Sequence, residues 1–307
     1  MTAVAGWLRR AWEHDLAWSF RHSPVALVAA LLTCVCVGSA VFAPWIAPHD
    51  PFNSATLNLS DGFTPPAWTE RGTAKYLLGT DDQGRDVLST IMYGARISLG
   101  VGLASVLFSA LLGVSLGLAS GYLGGRLDAF IMRVADIQLS FPAILIALLI
   151  DGMARIALPR ELHDALAVYV LVVAIGLSKW VDYARTVRGS TLVERNKEYV
   201  QAARVIGRHP FAIMLHHVLP NAMGPVLVIA TINIATAIIT EATLSFLGVG
   251  VPPTQPSLGT LIRVGNDFLI SGEWWITVFP GAALVLLVLS VNLLGDWLRD
   301  ALNPRLR

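Results

Sequence analysis

Asn196-Lys197-Glu198-Tyr199-Val200-Gln201-Ala202-Ala203-Arg204-Val205-Ile206-Gly207-Arg208, with Leu219-Pro220-Asn221 a short way on, stands between two strongly apolar stretches of the chain. Tyr199, Ala202, Ala203 and Ile206 recur at helical spacing while Lys197, Glu198, Gln201, Arg204 and Arg208 face elsewhere, so residues 196–208 predict one short amphipathic helix. Gly207 and Pro210 predict its end, the first by tolerating a left-handed backbone and the second by lacking an N–H.

The flanking stretches set the class of protein. Hydrophobic residues make up 55% of the 307 and charged residues 14%, and the mean hydropathy is +0.63. That balance excludes an ordinary soluble domain. The apolar residues gather in blocks, and crossing roughly 30 Å of hydrocarbon takes about 20 residues. Six blocks stand out, at about 24–47, 97–120, 134–150, 165–181, 222–248 and 276–297, the first opened by Pro24 where a helix start tolerates proline.

An even number of spans puts both termini on one side. That side carries 14 lysines and arginines, including Arg9, Arg10, Arg21, Arg126, Arg133 and six in the 182–221 segment, against 7 on the other. The positive-inside rule therefore makes the amphipathic segment and both termini cytoplasmic. The first block reads as a retained helix and not a cleaved leader, because it is too long, Glu13 and Asp15 precede it and Pro44 would follow the cut at Ala43. Cys34 and Cys36, two apart on that helix, point in different directions and read as an inert buried pair.

The 196–208 segment resembles the EAA loop of importer-type ABC transporter permeases, with Gln201 in place of the name-giving glutamate and His217 in place of an isoleucine. A second string resembles the signature of the C-type permeases of peptide, glutathione and nickel importers. It runs Leu78-Gly79-Thr80-Asp81-Asp82-Gln83-Gly84-Arg85-Asp86-Val87-Leu88-Ser89 and on through Tyr93-Gly94-Ala95-Arg96. A third, Ile239-Thr240-Glu241-Ala242-Thr243-Leu244-Ser245-Phe246-Leu247-Gly248-Val249-Gly250-Val251-Pro252-Pro253, extends the likeness to nearly the whole chain.

The resemblance implies an all-α membrane protein of six transmembrane helices with the type I importer permease fold. Residues 1–94 would supply the N-terminal tail, first helix and external loop, and 95–307 a five-helix core with the coupling loop at about 182–221. It implies no catalytic site and no cofactor in this chain; ATP and magnesium would sit on two cytoplasmic ABC ATPases. A second, B-type permease, an external solute-binding protein and the bilayer complete the expected partners, with no nucleic acid. The expected home is a bacterial inner membrane and the expected cargo short peptides. Glutathione, a nickel chelate, another small solute, or a secondary transporter working alone are the alternatives. In this frame Tyr199, Gln201, Ala202, Ala203, Arg204, Gly207, Arg208, Leu219 and Pro220 are the expected ATPase-coupling residues.

Other residues carry two readings each. Gly79, Thr80, Asp81, Asp82, Gly84, Arg85 and Asp86 suit an Asx-rich turn with local ion pairs, or a contact with a binding protein or external gate. Glu241, Asn233 and Asp136 are ionisable or polar at membrane depth, hence candidates for the pathway or gate. A buried hydrogen bond is the alternative for Glu241, and a pair with Arg133 for Asp136. Gly113, Gly117, Gly121 and Gly125 recur every four residues and predict close helix packing.

Enzyme signatures fail on context. Gly113-Val114-Ser115-Leu116-Gly117 fits G-x-S-x-G, but the serine falls mid-helix and every histidine lies outside the spans. None of Lys75, Lys179 and Lys197 follows a glycine as a Walker A lysine must, and His216-His217 are adjacent, which suits packing of the turn better than shared metal ligation.

Overall fold

Capping groups and prolines divide the chain into helices. A computed structural model describes residues 15–53, 57–252 and 254–302. Arg9, Arg10, Glu13, Pro253, Arg305 and Arg307 lie outside the described residues. α1 (Asp15–His22) leads to α2 (Pro24–Val41), whose Ser23 cap accepts from the Ala26 amide at 3.2 Å. The segment that follows has one isolated bridge, Thr80 to Asp86, before α3 (Val87–Leu123). α4 (Gly125–Leu139), α5 (Ala143–Ala157) and α6 (Arg160–Glu194) come next, then the short α7 (Glu198–Val205). A turn at Pro210–Ile213 and a π-helical turn at Met214–Val218 feed α8 (Leu219–Phe246). α9 (Leu258–Asn266) and α10 (Trp275–Leu302) complete the bundle.

Among the described residues, five helical stretches are long and apolar enough to cross a membrane: α2, α3, the Ala165–Glu194 part of α6, Pro210–Phe246 and α10. The predicted span at 134–150 is not one straight helix. It straddles the break between α4 and α5, which meet at 96°. Pro142 supplies the reason: it has no N–H to give, and its ring disfavours helical backbone at Phe141 before it. A sixth span exists only if this bent pair is counted as one. The predicted loop at 182–221 is itself largely helical, because α6 continues to Glu194 and α8 begins at Leu219.

α3 and α6 share the most extensive contact in the bundle. A Cβ at Gly113 would lie 2.4 Å from the Trp180 carbonyl oxygen, one at Gly117 2.4 Å from the Ala184 oxygen, and one at Gly121 2.7 Å from Thr191 Cβ. The two backbones therefore touch, as small residues allow in membrane bundles. Gly125 drops out of the predicted stripe: α3 stops at Leu123, and a Cβ at Gly125 would meet nothing within 4 Å. Cys36 is half-buried in α2 but Cys34 is exposed on its outer face, which corrects the buried pairing; both are free thiols.

Gly117→Val should force α3 and α6 apart at a point where only backbone can yield. It is expected to lower bundle stability by about 1–3 kcal/mol or more, seen as a lower melting temperature of the detergent-solubilised protein. Gly100→Ala, at a position open to 4 Å, should leave the melting temperature unchanged.

Candidate coupling and translocation site

α7 is only two turns long, and its cap geometry explains where it stops. Gly207 takes φ +78°. Its amide donates to the Arg204 carbonyl at 3.0 Å and the Arg208 amide to the Ala203 carbonyl at 3.1 Å. This crossed pair is the Schellman ending that a glycine permits. Glu198 in the first turn and Arg204 in the last both complement the helix dipole.

The buried face of α7 is narrower than the spacing predicted. Val200 and Ala203 are its buried residues, packed with Leu118 of α3, Tyr183 and Val187 of α6, and Ile213, Met214 and Val218 of the following turns. Ala202 and Gln201 are exposed, and Tyr199 lies at the rim. Ile206 and Val205 are 79% and 88% exposed, with Phe211 at 61%. Ile206 sits past the last turn, at the C-cap, where the helix has already turned away from the bundle.

Polar contacts clamp the helix at both ends. Tyr199 Oη donates to a Glu194 carboxylate oxygen and accepts from Asn221 Nδ2 at 3.1 Å. Burial, and then the Glu194 carboxylate, push the phenol up to about 12, so it remains a donor at neutral pH. Asn221 also donates to the His217 carbonyl at 2.7 Å, and His216 Nδ1 meets the Ala212 carbonyl at 3.0 Å, so this pair packs the π turn. Gln201 Nε2 donates to the Arg195 carbonyl at 3.3 Å, and the Arg204 guanidinium lies 5.1 Å over the Tyr122 ring. Half-buried Leu219 packs into the same apolar cluster, while Pro220 is exposed in the first turn of α8.

Beneath α7, three helices are latched together. Arg188 of α6 holds Asp128 of α4 through Nε at 2.5 Å and Nη2 at 2.7 Å; Ser120 of α3 donates to the same carboxylate. Arg195 Nη1 donates to the Gly121 carbonyl at 2.8 Å. Asp128 and Arg188 are 60 residues apart, so no local pattern in the sequence marks them. Asp136, expected to pair with Arg133, instead pairs with Arg185 across the α4–α6 contact. The bend at Pro142 lays α4 across α6, so the opposite charge nearest Asp136 comes from the neighbouring helix. Gln138 strengthens the crossing: Nε2 donates to the Leu177 carbonyl at 2.6 Å and Oε1 accepts from Trp180 Nε1 at 2.7 Å.

At the other end of the bundle the Gly-Thr-Asp-Asp block folds in on itself. Asp81 Oδ1 accepts from the Gln83 and Arg85 amides, both at 2.9 Å, and Oδ2 meets Arg85 Nε at 2.6 Å. Asp86 caps α3 by accepting from the Ser89 amide at 2.9 Å. Thr80 is buried: its hydroxyl donates to the Asp61 carbonyl at 2.6 Å, and its carbonyl accepts from Trp275 Nε1 at 3.0 Å. Gly79 and Gly84 both take positive φ. Asp82 is half-buried and joins none of the ion pairs found among the described residues.

Glu241 is fully buried in α8. Ser98 Oγ of α3 and Ser245 Oγ donate to its two oxygens, each at 2.7 Å, and Ser98 in turn accepts from the first amide of α9, Leu258, at 3.3 Å. One carboxyl thus joins three helices. Asn233, 6% exposed, lines a tight crevice with Ser105, Ser109, Ile175, Lys179 and Ala237. Ser115, centre of the formal G-x-S-x-G match, donates to the Leu111 carbonyl at 2.7 Å within its own helix.

A bundle of apolar helices stitched by intramembrane hydrogen bonds, with a short amphipathic helix mounted across one end, defines a multi-pass membrane transport subunit. The chain belongs to the family described as binding-protein-dependent transport system inner membrane component, whose pattern matches residues 113–307. The N-terminal TM domain of oligopeptide transport permease C matches residues 7–66. The chain is 40% identical to a di/tripeptide transport system permease protein of Pseudomonas aeruginosa over 98% of its own length and 93% of the relative's. It is 42% identical to a dipeptide transport system permease protein of Escherichia coli K12, over 94% and 91%. Among solved structures it shares the fold of a chain from the inward-facing MetNI methionine ABC transporter, with TM-score 0.54 and 20% identity over 70% of this chain and 96% of that one. Membership makes the chain a non-catalytic permease component of an ABC transporter and sets aside the solitary secondary transporter.

Glu241→Ala would strand two serine hydroxyls and open a void between three helices. It should cost roughly 2–4 kcal/mol. Glu241→Gln, which keeps an oxygen acceptor at nearly the same size, should cost under about half of that. Thermal unfolding of the purified variants separates the two outcomes.

Proposed function

We propose that the chain forms half of the translocation pathway of an ATP-driven importer of short peptides, with α7 as the helix that receives the ATPase stroke. The single observation that carries the coupling role is the contrast on α7. One face is locked into the α3–α6–α8 junction, while Val205 and Ile206 stand exposed beside Arg204 and Arg208. An apolar knob with a basic rim suits insertion into a cleft on another protein. Tyr199, Gln201, Ala202, Ala203, Gly207, Leu219 and Pro220 then hold the knob and pass its movement into α6 and α8. Gln201 acts through its amide on the Arg195 carbonyl, so no charged contact is needed at that position.

The remaining parts follow from the family. Two cytoplasmic ABC ATPases would bind ATP and magnesium, a B-type permease would supply the other half of the pore, and an external binding protein would deliver cargo. Residues 95–307 act as the permease core and 1–94 as its N-terminal helix and external segment. The excess of lysine and arginine on the α7 side supports cytoplasmic termini in a bacterial inner membrane. Peptide cargo rests on the di- and tripeptide transport roles of relatives at 40% and 42% identity. The Gly79–Asp86 block, with Asp81 paired to Arg85 and Asp86 capping α3, works as a rigid turn beneath whatever docks outside. Glu241 ties α8 to α3 and α9 during the stroke, Asp136 holds α4 to α6, and Asn233 belongs to the pathway lining.

Val205→Asp with Ile206→Asp, and separately Arg204→Glu with Arg208→Glu, should each cut ATP-dependent dipeptide uptake by about tenfold or more, as loss of a buried interface anchor does. The chain should remain in the membrane, because none of the four side chains is buried in the bundle. Uptake by proteoliposomes holding the full assembly, with ATP hydrolysis measured alongside, is the test. Wild-type uptake by either variant would overturn the coupling role.

A further inference from the structure

We infer that Lys179 is the residue of this pathway that meets the carboxylate of the cargo; this rests on the peptide-importer reading above. Lys179 lies near the midpoint of α6, Ser105 near that of α3, and Asn233 near that of α8. The three converge on one crevice, and Lys179 falls near the C-terminal end of the apolar block at 165–181, so a charged side chain stands within a spanning helix. Such a charge costs a few kcal/mol unless it faces water or a partner, and by default marks a pathway.

Its surroundings contain hydrogen-bonding groups, and the one acid close by, Asp182, does not pair with it. No carboxylate lines the cleft, and Lys179 joins none of the ion pairs found among the described residues. Asp182, the nearest acid along the helix, also joins none of them. Ser105 Oγ, Asn233 Nδ2 and Tyr183 Oη are buried and without a hydrogen-bond partner; Tyr183 lies beside Asn233 and Ser109 without regular bonding geometry to either. Buried polar atoms are satisfied almost everywhere in native proteins. Here two unsatisfied ones, on Ser105 and Asn233, line the crevice beside a lysine, and Tyr183 lies next to Asn233. Each carries an N–H or O–H to donate, so together they favour negative charge arriving from outside.

The crevice is packed too tightly to admit even a water molecule, so no part of the peptide lodges in it. Lys179 is half-buried, unlike Ser105, Tyr183 and Asn233, and so forms the mouth of the cleft. The ammonium meets a carboxylate passing that mouth, and the hydroxyl and amide dipoles behind it add to the attraction for negative charge. A peptide brings one carboxylate at its C-terminus, which would otherwise cross the apolar midplane without compensation.

The test uses the complete importer in proteoliposomes at saturating binding protein. It compares one dipeptide as the free acid with the same dipeptide as its C-terminal amide, after the binding protein's affinity for both has been measured separately. Lys179→Gln should slow free-acid uptake roughly tenfold and amide uptake less than about twofold, with ATP hydrolysis stimulated by the binding protein as in wild type. Lys179→Arg should restore most of the free-acid rate. Where the binding protein does not take the amide, a dipeptide bearing an additional side-chain carboxylate replaces it, and Lys179→Gln should slow that cargo more than the neutral-side-chain dipeptide. Equal losses for both cargoes, or free-acid uptake at the wild-type rate, would overturn the inference while leaving the peptide reading intact. A wild-type assembly that imports no peptide would overturn that reading and this role together.

Discussion

Gly113, Gly117 and Gly121 let the backbone of α3 touch the backbone of α6, with would-be Cβ atoms 2.4–2.7 Å from their neighbours. In a bilayer the hydrophobic effect does not press helices together, because lipid tails are as apolar as leucine; close packing and interhelical hydrogen bonds must do it. Most of what the bundle does is placed by this seam. At its lower end it sets Ser120 and Arg188 on the Asp128 carboxylate and brings Arg195 to the Gly121 carbonyl. Those contacts build the floor on which α7 rests through Val200 and Ala203. At its middle the same seam brings Ser105 beside Lys179.

Polar groups inside the apolar bundle divide into two kinds, those with their hydrogen bonds made and those without. Glu241 has both oxygens bonded, to Ser98 and Ser245, and Gln138 uses both ends of its amide between Leu177 and Trp180. Groups satisfied in this way act as fixed joints, since moving them would strand donors and acceptors in hydrocarbon. Ser105, Tyr183 and Asn233 are not satisfied, and they sit where α3, α6 and α8 meet. A stroke delivered through α7 would reach that junction by way of Tyr183, which packs in the same cluster as Val200.

Composition and block length were enough to read a multi-pass helical membrane protein from the chain, because the roughly 30 Å of hydrocarbon imposes a minimum apolar run that no soluble fold needs. The amphipathic helix before Gly207 was legible for a local reason as well: its ending depends on one residue that tolerates φ +78°. Asp81, Arg85 and Asp86 were readable as turn formers since their partners lie within a few positions. Everything that pairs residues distant along the chain came from packing. The 96° bend beyond Leu139 was signalled by Pro142 but hidden by the continuous hydropathy around it, and it moved Asp136 from Arg133 to Arg185. Which face of α7 is buried, which serines hold Glu241, and which groups share the cleft with Lys179 depend on how helices cross, and periodicity along one helix does not carry that information.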